Sequence, residues 1–215
     1  MSHVHTRMLN DHVLELRLNR PDQLNAISPE MLDGIIEAMR EANHSRDIRV
    51  VGLTGEGRGF CAGADLTTQS GPGDIPGTDG MSELGFTYKY QERIAEAALA
   101  IHECDKPVIA AINGAAVGGG LAFALASDLR VAAHGAKLGA VFIQTGLSSC
   151  DFGVSSFMPR LVPVTKSMEL MITGRIFLAE EAQELGLLNA LVEPQALEAK
   201  ALELAAAIAA ISEYG

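Results

Sequence analysis

Hydrophobic and polar residues alternate from Val13 to Asn19, with Leu14, Leu16 and Leu18 on one side, which predicts a strand with one buried face. Pro21 ends it. A change to helical spacing follows, in which Met31, Leu32, Ile35, Ile36 and Met39 share a face. Ser28, Pro29 and Glu30 supply an N-cap, a first-turn proline and a first-turn acid, so a helix is predicted over 29–43. A second strand is predicted over 48–54, after which Gly55, Gly57 and Gly59 carry the chain to Phe60 and Cys61. Between 69 and 80 the residues turn to Gly, Pro, Ser and Asp, the composition of a mobile loop.

Helical spacing returns over 91–104 through Ile94, Ala98 and Ile101. The continuous apolar run 107–112 suits a strand covered on both faces. After the triple glycine 118–120, a helix over 121–127 and a strand over 129–133 are predicted. Further helices are predicted over 153–161, 165–173, 179–185 and 195–212. Strands alternating with helices predict an α/β fold with right-handed crossovers. No internal repeat is present.

Length and composition narrow the classes. The 215 residues, 48% of them hydrophobic, suffice for one domain. The net charge of −11 argues against a nucleic-acid partner. Cys61, Cys104 and Cys150 are odd in number and lack C-x-x-C spacing, so neither a disulfide framework nor a zinc ribbon is indicated, and a reducing cytoplasm fits. Residues 1–10 are polar, unlike a signal peptide. The uncharged stretch 107–127 approaches membrane-span length, but Asn113, Gly114 and the triple glycine interrupt it, so no membrane span is expected.

Familiar signatures are absent. The glycines at 55, 57 and 59 lack dinucleotide-binding spacing, and no P-loop, G-x-S-x-G or H-E-x-x-H occurs. The six histidines have no ligand spacing, so no metal site is expected. Two glycine-containing loops remain, 60–66 and 113–120, each between a predicted strand and a predicted helix. Backbone amides in such loops lie open to a ligand, and two facing loops can aim two free N–H groups at one oxyanion. Equally, the glycines can serve tight turns and close helix packing alone.

Leu18-Asn19-Arg20-Pro21 with Leu24-Asn25-Ala26, Gly63-Ala64-Asp65-Leu66, and Lys106-Pro107 through Asn113-Gly114 with Gly118-Gly119-Gly120 occur in that order. Ser127-Asp128-Leu129-Arg130 and Leu170 through Gly174-Arg175 to Gly186-Leu187-Leu188 follow. Together they resemble the crotonase superfamily, the enoyl-CoA hydratase/isomerase family, over about residues 10–212. The resemblance implies a spiral of ββα units forming two roughly perpendicular sheets over 1–192, with 193–215 beginning a C-terminal helical region. Family members usually continue some tens of residues further. It also implies a homotrimer or hexamer and an acyl-CoA thioester as ligand. No metal or redox cofactor is implied, since coenzyme A enters with the substrate. The amides of Ala64 and Gly119 fall at the oxyanion-hole positions. Leu24, Ala26, Asp65, Leu66, Thr67 and Gly118 fall where relatives bind the coenzyme A portion.

The chain departs from the hydratase pattern at two positions. Hydratases of this family hold water with two glutamates, and the corresponding residues here are Ala122 and Phe142, neither of which exchanges a proton. Asp151, in Gly146 to Gly153, is similar to the catalytic aspartate of the dienoyl-CoA isomerase members, although the upstream spacing is one residue longer. The same aspartate also suits an N-cap for the helix at 153. The resemblance therefore leads to an enoyl-CoA hydratase/isomerase-type enzyme working through a thioester enolate, with isomerase-like proton transfer by Asp151, in fatty-acid or carboxylic-acid degradation. The alternative is a non-catalytic acyl-CoA-binding paralogue.

Overall fold

A computed structural model describes residues 2–65, 71–75, 77–150 and 152–211. Expectations placed on Leu66, Thr67 and Asp151, and on part of the 69–80 loop, lie outside these residues.

The elements in chain order are strands β1 (Val4–Met8) and β2 (Val13–Leu18), helix α1 (Pro29–His44), strands β3 (Val50–Gly55) and β4 (Gly59–Cys61), and helix α2 (Glu83–His102). Next come β5 (Val108–Ile112), β6 (Ala115–Val117), α3 (Gly119–Ala126), β7 (Leu129–Ala133), β8 (Lys137–Gly139) and a 3₁₀ turn, Val141–Thr145. The chain continues with α4 (Val154–Leu161), α5 (Val164–Thr173), β9 (Ile176–Leu178), α6 (Ala179–Glu184), β10 (Ala190–Val192) and α7 (Leu197–Ile211).

Two sheets result. The larger runs β1-β2-β3-β5-β7-β10, parallel except for the antiparallel β1·β2 pair. The smaller runs β4-β6-β8-β9. Each of β4 and β6 continues almost directly from a strand of the larger sheet, so the chain steps from one sheet to the other before entering a helix. The main core packs α1, α2 and α3 against one face of the larger sheet, and a second core packs α7 against the other.

That second core corrects one expectation. Strand β2 is buried on both faces, because α7 covers the side carrying Val13 and Glu15. The buried Glu15 carboxylate accepts paired hydrogen bonds from Arg7 and from Arg17, so its charge is compensated rather than solvated. Helix α1 starts where the Ser28-Pro29 pattern places it, and Ser28 Oγ accepts from the Met31 N–H at 3.2 Å. Helix α2 begins eight residues ahead of the predicted 91, where Ser82 Oγ accepts from the Gly85 N–H at 3.2 Å. Strand β1 and the three-residue strands β4, β6, β8, β9 and β10 have no counterpart in the predicted set. Among the described residues no helix is long and apolar enough to cross a membrane.

Candidate functional site

Two turns meet where the chain leaves the smaller sheet. The first leaves β4 through Ala62 and Gly63 and forms an isolated parallel bridge between Ala64 and Ile27. In this bridge the Ile27 N–H donates to the Gly63 carbonyl at 2.8 Å, and the Asp65 N–H donates to the Ile27 carbonyl at 3.2 Å. A strand alternates the direction of its peptide groups, so the Ala64 N–H faces away from Ile27. The second turn lies on the other side. Gly63, at φ +88°, approaches it so closely that a Cβ there would lie 2.8 Å from the Val117 carbonyl oxygen and 3.3 Å from the Gly119 nitrogen.

The second turn is the start of α3. Gly118 occupies φ +56°, ψ −120°, a region closed to side chains other than hydrogen, and Gly119 is the first helical residue. A helix offers no internal acceptor to its first N–H groups. Among the described residues, no acceptor pairs the N–H of Ala64 or of Gly119. The positive end of the α3 dipole reinforces these donors toward an anion. Gly119 and Gly120 are required sterically as well. A Cβ on Gly119 would meet Ile27 Cδ1 at 2.5 Å and Phe152 Cε1 at 2.8 Å, and one on Gly120 would run into the Cys61 carbonyl.

Three polar side chains hold this arrangement. Asn113 Nδ2 donates to the carbonyls of Gly55, Gly57 and Gly59 at 2.9–3.1 Å. Asn25, fully buried at φ +56°, donates from Nδ2 to the Glu56 and Gly59 carbonyls, and its Oδ1 accepts from the Arg20 N–H. Arg20 donates to the Ala26 carbonyl at 2.6 Å and to Asp65 Oδ2 at 2.9 Å. Asp65, placed on the coenzyme A path by resemblance, thus forms an ion pair that ties the residue after Ala64 to the 20–26 segment. Leu24, at φ +50°, packs over Gly59, and Ala26 is buried. Reading the sequence missed Asn25 and Asn113 as staples. Asparagine beside glycine-rich turns was the available signal, since its amide both donates to carbonyls and tolerates left-handed backbone.

The surroundings are apolar. Ala122 is buried in α3, and Phe142, in the 3₁₀ turn, is 3% exposed. The Phe142 ring lies 5.1 Å, centroid to centroid, from that of Phe152, which in turn abuts Gly119. No carboxylate stands at either position. Burial pushes the Cys61 thiol, beneath Gly120, up to about 12, so it is neutral and unreactive at physiological pH. The N-cap of α4 is Gly153. Among the described residues no three His, Cys, Asp or Glu side chains converge in a metal-holding group. The arrangement can polarise a carbonyl and hold an enolate oxygen at two amides; its described walls bring no carboxylate to a water.

Comparison with known proteins identifies the family. Residues 9–214 match the family model described as enoyl-CoA hydratase/isomerase. The chain is 37% identical to a probable enoyl-CoA hydratase, echA12, of Mycobacterium leprae over 93% of its own length and 67% of that protein. It is 35% identical to the 1,2-epoxyphenylacetyl-CoA isomerase of Escherichia coli, over 94% and 75%. Among solved structures it resembles a probable enoyl-CoA hydratase/isomerase from Mycobacterium abscessus with a TM-score of 0.88 and 33% identity, over 97% and 76% of the two chains.

Proposed function

The chain belongs to the enoyl-CoA hydratase/isomerase family, and from that premise we propose that it seats an acyl-CoA thioester oxygen between the Ala64 and Gly119 amides and moves a proton on the resulting enolate. The observation that carries this reading is the approach of the two glycine turns, which sets on facing segments two N–H groups that have no acceptor among the described residues. Removing one donor from such a hole costs about 10² to 10³ in turnover elsewhere.

Proton transfer is favoured over hydration because Ala122 and Phe142, both apolar and buried, stand where the family resemblance places the two water-activating acids. In the proposed cycle Asp151 takes a proton from the acyl chain, the two amides stabilise the enolate, and the same aspartate returns the proton at another carbon. One observation supports this role: Phe152, the next residue in the chain, packs on Gly119. Isomerase chemistry occurs among the relatives, as in the E. coli 1,2-epoxyphenylacetyl-CoA isomerase. Coenzyme A would follow Leu24, Ala26, Asp65, Leu66, Thr67 and Gly118. Trimeric or hexameric assembly is part of the proposal, supported by the exposed apolar ridge Val164, Met168 and Ile172 of α5 with Ile176 and Leu178 of β9.

A second reading follows from the same two apolar positions: an acyl-CoA-binding protein without turnover. A panel of enoyl-, dienoyl- and 3-hydroxyacyl-CoA thioesters separates the two. The enzyme reading expects isomerised product with one substrate class and a fall of at least about 10² in Asp151→Asn with binding retained. Binding without product across the panel would favour the second reading, and rapid crotonyl-CoA hydration would contradict the roles given to Ala122 and Phe142.

A further inference from the structure

The second core, between the larger sheet and α7, is built from small residues on both sides. Gly52 and Ala111 face outward from β3 and β5, and Ala201 and Ala205 face them from α7. Bulky side chains elsewhere in the layer hold the helix at its distance, and small residues opposite small residues leave space between them. The result is a cleft of about 290 Å³, partly open to solvent, with mostly apolar walls completed by Val13, Ile109 and Leu202. Its one polar end is formed by Arg7, Glu15 and Glu198.

We propose that this cleft is a binding site for a small, uncharged, apolar molecule, of the size of one or two fused rings. Size sets the first limit. A cavity of about 150 Å³ lined by aliphatic and aromatic side chains already takes up benzene, and one about twice as large accommodates a bicyclic ring. Charge sets the second. At the polar end the Glu15 carboxylate is already engaged by both Arg7 and Arg17, and Arg17 also donates to Glu198 and Glu56. The arginine donors are thus directed at carboxylates, and two carboxylates against one arginine line the cleft. An anionic ligand would be repelled there, and a cationic one would lose its water without gaining a free partner.

The site is separate from the thioester turns. The cleft belongs to the α7 face of the sheet, whereas Phe60, Cys61, Ala116 and Leu121, which underlie the turns, belong to the core on the other face. Its occupancy therefore does not depend on which acyl-CoA the protein uses.

Gly52 offers a precise block. A Cβ built there meets only the Leu14 carbonyl oxygen, at an ordinary 3.9 Å, so the strand accepts a side chain and a leucine would extend into the cleft. Replacing a strand glycine also removes an entropic cost of folding. The test titrates the protein with 1-fluoronaphthalene, followed by fluorine NMR, and with 1-naphthoate and 1-naphthylmethylammonium as charged counterparts. The expected result is saturable binding of the neutral probe and at least about tenfold weaker binding of both charged ones, equivalent to about 1.4 kcal/mol. Gly52→Leu should bind the neutral probe at least about tenfold more weakly while melting no lower than the parent. Ala205→Leu reads the same loss from the opposite wall should Gly52→Leu not fold. Absence of saturable binding, equal binding of 1-naphthoate, undiminished binding in both variants, or displacement of the probe by an acyl-CoA would each overturn the proposal.

Discussion

Replacing Arg20 by Met tests whether the turn carrying Ala64 is held by a buried charge. The guanidinium donates to Asp65 Oδ2 at 2.9 Å and to the Ala26 carbonyl at 2.6 Å, with the two charged side chains only 13% and 6% exposed. Methionine approximates the aliphatic stem, so packing is largely kept while Asp65 and the Ala26 carbonyl lose these donors. Removing one partner of a fully buried pair costs about 3 to 5 kcal/mol. The residual exposure of Arg20 lets water reach the Asp65 carboxylate, which brings the expected loss to about 2 to 3 kcal/mol. Asp65→Asn keeps an acceptor for Arg20 and should cost less, about 1 kcal/mol. Urea unfolding of both single variants and the double variant closes a mutant cycle, in which the coupling should exceed about 1 kcal/mol. An Arg20→Met variant within about 0.5 kcal/mol of the parent, or a coupling near zero, would refute the clamp.

Three other predictions rest on single features. Gly120→Ala should destabilise the protein far more than Gly135→Ala, because a Cβ at 120 collides with the Cys61 backbone whereas at 135 only the left-handed φ of +74° is strained, about 1 to 2 kcal/mol; thermal melts of the two variants decide it. Burial alone would raise the Glu15 carboxyl, and the hydrogen bonds from Arg17 and Arg7 outweigh it, so its pKa lies below the ordinary 4.5. A depressed carboxyl stabilises the fold above that value and loses its contribution as the pH falls beneath it. The melting temperature should therefore drop on acidification below 4.5, and Glu15→Gln should flatten that part of the profile; an unchanged acid slope in the variant counts against it. A maleimide should label exposed Cys150 and leave buried Cys61 unmodified in the folded protein, with peptide mass mapping as the readout.

The features legible in the sequence are those whose causes are local. The Ser28-Pro29-Glu30 start of α1 is written in three adjacent residues, and β5 in one apolar run. Strand β1 is not legible because four of its five residues are exposed and its partner, β2, is what makes it a strand. The start of α2 hid behind Leu84 and Tyr88, which point to solvent and break the apolar spacing. Burial of β2 on both faces depends on α7, about 180 residues downstream, and no local pattern carries it. At the site, the glycine turns were visible as turns. Their mutual approach was not, since it is set by Asn25, Asn113 and Arg20 acting across 30 to 60 residues. The meaning of Ala122 and Phe142 came from family resemblance alone, because a buried alanine and a buried phenylalanine carry no chemical signal of their own.

The most direct test of the account is deuterium uptake from heavy water at the carbon beside the thioester of phenylacetyl-CoA, a compound that forms an enolate and has no double bond to hydrate. Proton NMR follows the loss of the signal. The account predicts exchange at least about 10² faster than in buffer, falling by about that factor in a folded Ala64→Pro variant, which lacks one oxyanion donor. Exchange no faster than in buffer from a protein that binds the thioester, or an undiminished rate in Ala64→Pro, would contradict it.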